Sequence, residues 1–223
     1  MYNISSTPKL WRNAHIRKIK FKHGEIEKFF QVMKFKKVKK LSFSRLQFSE
    51  GCTNTFFNNF SFFDNLLELD LQGVNLSKVP AEKLSDCCKS LKKLDLTFTK
   101  LTPWQSQHLF DILDQNISLK LKNASFKAAN LSQVESRTLA SVVAKMELVN
   151  LSFTELTKED FYGISHKPHY DTWVILWKNP KNYFPLCKSS LNLIRSSCPE
   201  YMKSDPNRWI FCPKNYFYPG GQK

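Results

Sequence analysis

The sequence predicts an α/β solenoid of about six stacked strand–helix units. Three observations carry that expectation. A 28-residue segment recurs, ungapped, 55 residues further along the chain. Inside each copy the apolar residues follow a strand-then-helix spacing. The net charge of +15 is concentrated at the two ends, so the repeated middle is close to neutral.

The repeat comes first, because a missed repeat misassigns the whole fold. Asn75 to Thr102 aligns with Asn130 to Thr157, and ten of the 28 positions are identical. Among the matches are Leu84 with Leu139, Leu96 with Leu151, Phe98 with Phe153 and Leu101 with Leu156. A shorter unit, L-x-x-L-x-L-x-x-(N/C)-x-L, lies within each copy. It fits Leu66, Leu69, Leu71, Val74 and Leu76, then Leu91, Leu94, Leu96, Thr99 and Leu101. It fits again at Met146, Val149, Leu151, Thr154 and Leu156. The 55-residue offset assigns Leu121, Ala124, Phe126, Ala129 and Leu131 to the unit between, against the competing register at Leu119 and Leu121. Weaker copies are Val38, Leu41, Phe43, Leu46 and Phe48, and before them Ile16, Ile19, Phe21, Gly24 and Ile26. Strands are therefore expected near residues 19, 41, 69, 94, 124 and 149.

The spacing dictates the local structure. Alternation of period two makes a short strand with one buried face. A helical pattern then returns the chain over Ala81 to Lys89, Trp104 to Leu113 and Ser136 to Lys145. Thr102-Pro103 places a capping hydroxyl before a first-turn proline, and Thr157 precedes Lys158, Glu159 and Asp160. One such unit cannot cover its own apolar face, but stacked units can, with parallel strands side by side and helices outside.

These residues resemble the leucine-rich-repeat superfamily, in particular its ribonuclease-inhibitor-like and cysteine-containing members. Cys88-x-x-Leu91-x-x-Leu94-x-Leu96 is similar to the cysteine-containing repeat of F-box leucine-rich-repeat proteins. The resemblance covers roughly residues 16–160 and implies a right-handed horseshoe with its strands on the concave face. It implies protein–protein interaction through that face, including substrate recognition for ubiquitination. It also leaves open the leucine-rich sensor part of an innate-immune-type receptor. The sequence departs from the family at the Asn/Cys position, which holds Gly24, Leu46, Val74, Thr99, Ala129 and Thr154. The expected organisation is a lead-in at 1–15, the repeat domain at 16–165, and a cap or disordered tail at 166–223. In the tail, Trp173 to Trp177 offers an apolar plug.

Composition narrows the function. Only 6 glycines argue against phosphate-cradling loops. No apolar run is long enough to span a bilayer, and the N-terminus lacks the apolar stretch of a secretory signal. A cytoplasmic or nuclear monomer with buried free thiols is the expectation for the six cysteines. Cys187, Cys198 and Cys212 are too loosely spaced for a usual zinc site, and His166 with His169 is a weak metal pair. No cofactor is expected, and no nucleophile–base motif points to an enzyme. N-x-S triplets at Asn3, Asn59, Asn75, Asn116, Asn123, Asn130 and Asn150 read as by-products of an Asn- and Ser-rich repeat.

Residues 1–40 carry +10, 41–166 carry −1, and 167–223 carry +6. The stretch KFKKVKK at 34–40, lysines interrupted by Phe35, suits nucleic acid, but solvent-facing lysines beside a strand start serve equally well. A partner protein is the main expectation. Its contacts are Asp70, Gln72, Asp95, Thr97, Phe98, Lys127, Asn150, Ser152 and Phe153, the strand positions pointing away from the core. Asp70 and Asp95 read as solvated acids in a repeat slot rather than paired acid–base carboxylates. Phe98 and Phe153 read either as anchors for a partner or as packing against neighbouring units or a terminal segment.

Overall fold

A computed structural model describes residues 12–16, 20–21, 24–33, 37–48, 52–60, 63–88, 90–117, 119–166, 173–177 and 208–211. Three-residue strands set its geometry. They are β1 (Asn13–His15), β3 (Lys40–Ser42), β5 (Glu68–Asp70), β6 (Lys93–Asp95), β7 (Asn123–Ser125) and β8 (Leu148–Asn150). A strand this short places one residue inward. Ala14, Leu41, Leu69, Leu94, Ala124 and Val149 fill that place, and each pairs in register with the next. All of these strands run parallel, in sequence order. Parallel neighbours require a crossover, and the helices supply it.

The chain is therefore α/β, with α1 (Glu25–Met33), α2 (Cys52–Asn58), α3 (Ala81–Cys88), α4 (Pro103–Gln115), α5 (Ser136–Ala144) and α6 (Lys158–His166) between strands. Each helix packs on its neighbours in sequence. The expected helices and the register at Ala124 and Phe126 match these elements. Burying one Leu strand centre is worth about 1.5–3 kcal/mol. Ala124 supplies less; two residues on, the buried ring of Phe126 lies 4.9 Å from that of Phe110 on α4.

The first unit corrects the sequence reading. Its strand in the main sheet is centred on Ala14, not Ile19. Lys20–Phe21 (β2) instead pairs with Gln47–Phe48 (β4) in a separate two-stranded parallel sheet. Phe21 thus matches Phe48, five residues out of the expected alignment. The misreading has a physical source: Ala14 is a weak hydrophobic signal, whereas Ile16, Ile19, Phe21 and Ile26 imitate the pattern. Phenylalanines compensate for the poor strand leucines at this end. Phe30, Phe43, Phe56, Phe60 and Phe63 form a continuous cluster with centroids 4.8–5.9 Å apart.

The segment expected to plug the far end also joins the sheet. Trp173–Trp177 (β9) adds a parallel strand beside β8, with Val174 buried in the common core. Arg208–Phe211 (β10) then pairs antiparallel to β9. The rest of 167–223, including Cys187, Cys198, Cys212 and His169, lies outside the described residues, as do Lys34, Phe35 and Lys36.

The repeat extends to side-chain hydrogen bonds. Asn75 and Asn130 each accept from the backbone N–H two residues on, at 3.2 Å, and from that serine's hydroxyl at 2.8 Å. The N-x-S triplets at these two sites therefore make Asx turns. Thr99 and Thr154 donate to the carbonyls of Leu96 and Leu151 at 2.7 and 2.6 Å. The threonine hydroxyl at this repeat position is thereby satisfied within its own turn.

Thr102 and Gln105 form a capping box on α4, and Thr157 and Asp160 form its counterpart on α6. One difference separates them. Gln105 Nε2 also donates to the carbonyls of Leu76 and Val79 in the preceding unit, at 2.9 and 2.5 Å. Asp160 has no amide, and its buried Oδ1 has no hydrogen-bond partner. Gln105→Ala should lower stability by about 2 kcal/mol through the lost cap and the two lost amide donations to the preceding unit. Asp160→Gln should raise it by about 1 kcal/mol by restoring the missing donor. Urea unfolding midpoints measure both, and equal midpoints for wild type and Asp160→Gln would contradict the assignment.

Candidate functional site

Residues flanking each buried strand centre lie on the sheet face away from the core. In register they form columns across the units. Asp70 and Asp95 neighbour each other in one column, which continues through Ser125 to Asn150. Their side chains turn back on their own strands. The Oδ1 atoms of Asp70, Asp95 and Asn150 accept from the backbone N–H of Gln72, Thr97 and Ser152 at 2.9–3.0 Å. Asp70 Oδ2 also accepts from Ser42 Oγ at 2.7 Å. The two aspartates are half-buried turn acceptors rather than freely solvated acids, and their bonds are those of Asx turns.

The next outward column stitches units together. Thr97 and Ser125 share a hydroxyl hydrogen bond of 2.7 Å, and Ser44 donates to Gln72 Oε1 at 3.4 Å. Thr97 and Ser152, expected on the binding face, are buried. Gln72 and Lys127 stay half-buried.

One place further on, five successive units among the described residues turn through a left-handed residue. These are Arg45, Gly73, Phe98, Ala128 and Phe153, with φ of 57°, 70°, 55°, 57° and 61°. The turn aims each N–H at the next unit. Arg45 donates to Gln72 O, Gly73 to Thr97 O, Phe98 to Lys127 O and Ala128 to Ser152 O, at 2.6–2.9 Å. Only glycine adopts this φ without penalty; other L residues pay roughly 1–2 kcal/mol. A bulky residue here is a genuine outlier.

Phe98 and Phe153 thus occupy a slot that the fold fills more easily with Gly73. Ala128 lies in the unit between and is small enough for the two rings to meet, with centroids 6.5 Å apart and planes at 50°. Lys127 Nζ sits over both, 5.2 Å from the Phe98 centroid and 5.0 Å from that of Phe153. Phe98 is nonetheless 52% exposed. The structure therefore joins the two sequence readings: the rings pack across units and still present a large apolar surface.

Of the nine expected contacts, the fold brings Phe98, Lys127 and Phe153 together. It leaves Asp70, Asp95, Asn150 and Gln72 in the turns and stitches beside them. The left-handed slot had one sequence signal, Gly73. The stacking of exposed Trp104 on His108 across one turn of α4, centroids 5.6 Å apart, was not anticipated.

No family model, curated protein or solved structure matches the chain.

Other groups offer less chemistry. Among the described residues, no three His, Cys, Asp or Glu side chains cluster to hold a metal, and no helix is long and apolar enough to cross a membrane. A 530 Å³ surface groove between α5 and α6 is lined by Ser136, Arg137, Ala140, Tyr162 and Gly163, among others. Cys52, Cys87 and Cys88 are buried free thiols. Burial pushes the Cys88 thiol up to about 12, with Asp86 adding to the shift, and it also raises Cys87 strongly.

Two predictions follow from these features. Phe98→Gly relieves the left-handed strain but loses the ring contacts, so its stability should stay within about 1 kcal/mol of wild type. Phe98→Ala loses the contacts and keeps the strain, so it should be the less stable variant by about 1 kcal/mol in urea unfolding. The reverse order would remove the strain argument. The raised thiols stay protonated in the native chain while the unfolded chain ionises near about pH 8.5, so stability should fall as pH rises above that value. Cys87→Ala/Cys88→Ala should flatten this fall, as read from unfolding midpoints between pH 7 and 10.

Proposed function

We propose that the chain is a leucine-rich-repeat solenoid of the right-handed horseshoe type that binds another protein through its concave strand face, and that it is not an enzyme. The observation that carries this reading is the Phe98–Lys127–Phe153 patch. Folding alone favours glycine where Phe98 and Phe153 stand, and strain of this kind concentrates at ligand clamps and other working sites. Rigid aromatic side chains at the centre of a contact surface commonly dominate binding energy. Around the patch, Asp70, Asp95, Thr97, Asn150 and Ser152 are engaged in turns and stitches. Those bonds hold the face in one shape before a partner arrives, which lowers the ordering cost of association. The repeat spacing, the in-register strand centres and the recurring Asx turns support the leucine-rich-repeat assignment.

The test uses the full chain as bait in extracts of its native cells, beside Phe98→Gly/Phe153→Gly. Proteins identified by mass spectrometry with wild type should be lost from the double variant, whose unfolding midpoint should remain near wild type. Capture of the same proteins by both would refute the assignment of this face.

A further inference from the structure

We infer that a cavity between α2 and α3 binds a small amphipathic amine in its protonated, ammonium form; this site is separate from the concave face and does not rest on the reading given to that face. The cavity has a volume of about 240 Å³. Phe57, Phe60 and Phe63 of the phenylalanine cluster line it, and all three are buried. Asp64, Lys83 and Asp86 line it too, and all three are exposed. The cavity therefore runs from an aromatic floor to a charged mouth. Its natural occupant has an apolar body and one charged end.

The sign of that charge follows from the mouth. Two acids there face one base. Both helices also end at the cavity: Phe57 and Asn58 close α2, and Asp86 and Cys87 lie in the last turn of α3. A helix C-terminus carries partial negative charge, and neither helix has a basic residue in its last turn to offset it. The Cys87 thiol on the cavity wall senses the same balance. Burial raises it most, then Cys88, but of the opposed charges at the mouth Asp86 raises it more than Lys83 lowers it. Asp86 already interacts within the chain, so it contributes its field. The direct contact falls to Asp64, which makes no hydrogen bond or ion pair among the described residues. An ammonium donating to Asp64 gains a charge-assisted hydrogen bond. Its apolar body then covers the phenylalanine floor and releases the water there.

Size and chemistry narrow the ligand further. At roughly 30 Å³ per water the space equals about eight waters, enough for a single ring or a short branched chain. A bare metal ion fits less well, because no three metal-binding side chains cluster among the described residues and the floor is hydrocarbon. An anion drawn to Lys83 would stand beside Asp64 and two helix C-termini.

The test titrates the full chain with phenethylamine, and with phenethyl alcohol and phenylacetate as neutral and anionic counterparts, by saturation-transfer difference NMR at neutral pH. The amine should bind most tightly and the carboxylate least. Asp64→Asn should weaken amine binding about threefold and Lys83→Gln should strengthen it by a similar factor, the size of an exposed charge contact. Both positions are exposed, so both variants should keep the wild-type unfolding midpoint. No binding at millimolar amine would overturn the inference. So would equal or tighter binding of phenylacetate, or one affinity shared by wild type and both variants. Phe98→Gly/Phe153→Gly should bind the amine as wild type does, whether or not it loses its protein partner. Loss of amine binding in that variant would place the amine on the concave face and overturn the inference.

Discussion

Everything in this chain depends on one buried side chain per strand. A three-residue strand contributes a single residue to the core, so register has no redundancy. Ala14, Leu41, Leu69, Leu94, Ala124 and Val149 must align, because a slip of one residue would turn a polar neighbour such as Asn13, Lys40, Asp70, Asp95, Ser125 or Asn150 inward. The alignment fixes where every unit turns, and the turn fixes what the outer face carries. Buried aromatic pairs add to the core, among them Phe110 with Phe126 and the phenylalanine cluster at Phe30, Phe43, Phe56, Phe60 and Phe63.

The turns meet a second demand, the satisfaction of backbone donors. After each strand the chain bends back while its N–H groups still need acceptors. Asp70, Asp95 and Asn150 supply side-chain oxygens two residues back, and the left-handed residue directs its own N–H to the following unit. The polar groups of the face are thereby occupied by the fold. What they leave for a partner is the apolar pair at Phe98 and Phe153 with Lys127 above it. Folding alone favours glycine in that slot, and the proposed binding role favours phenylalanine.

Much of this was legible in the sequence. The leucine spacing predicted the strands from 41 onward, and the 55-residue offset decided the register at Ala124 and placed Phe98 and Phe153 in one slot. It extends to hydrogen bonds, since Asn75 and Asn130, Thr99 and Thr154, and the caps at Thr102 and Thr157 act alike. The first unit was misread because alanine carries little hydrophobic signal while Ile16, Ile19 and Phe21 carry a misleading one. The strand at Trp173–Trp177 was missed as a continuation because no recognisable repeat surrounds it. Left-handed geometry was hidden because four of its five positions are not glycine. Thr97 and Ser152 were expected outward because alternation gives direction but not depth, and neighbouring units cover them.

The proposed role makes the face between β6 and β8 the working surface and the helices its support. Hydrogen-exchange mass spectrometry of the full chain, free and saturated with a captured partner, tests this most directly. The account predicts slowed exchange in peptides spanning 93–98, 123–128 and 148–153, with the helices at 103–115 and 136–144 unchanged. Slowing confined to those helices, with the three strand segments unaffected, would contradict it.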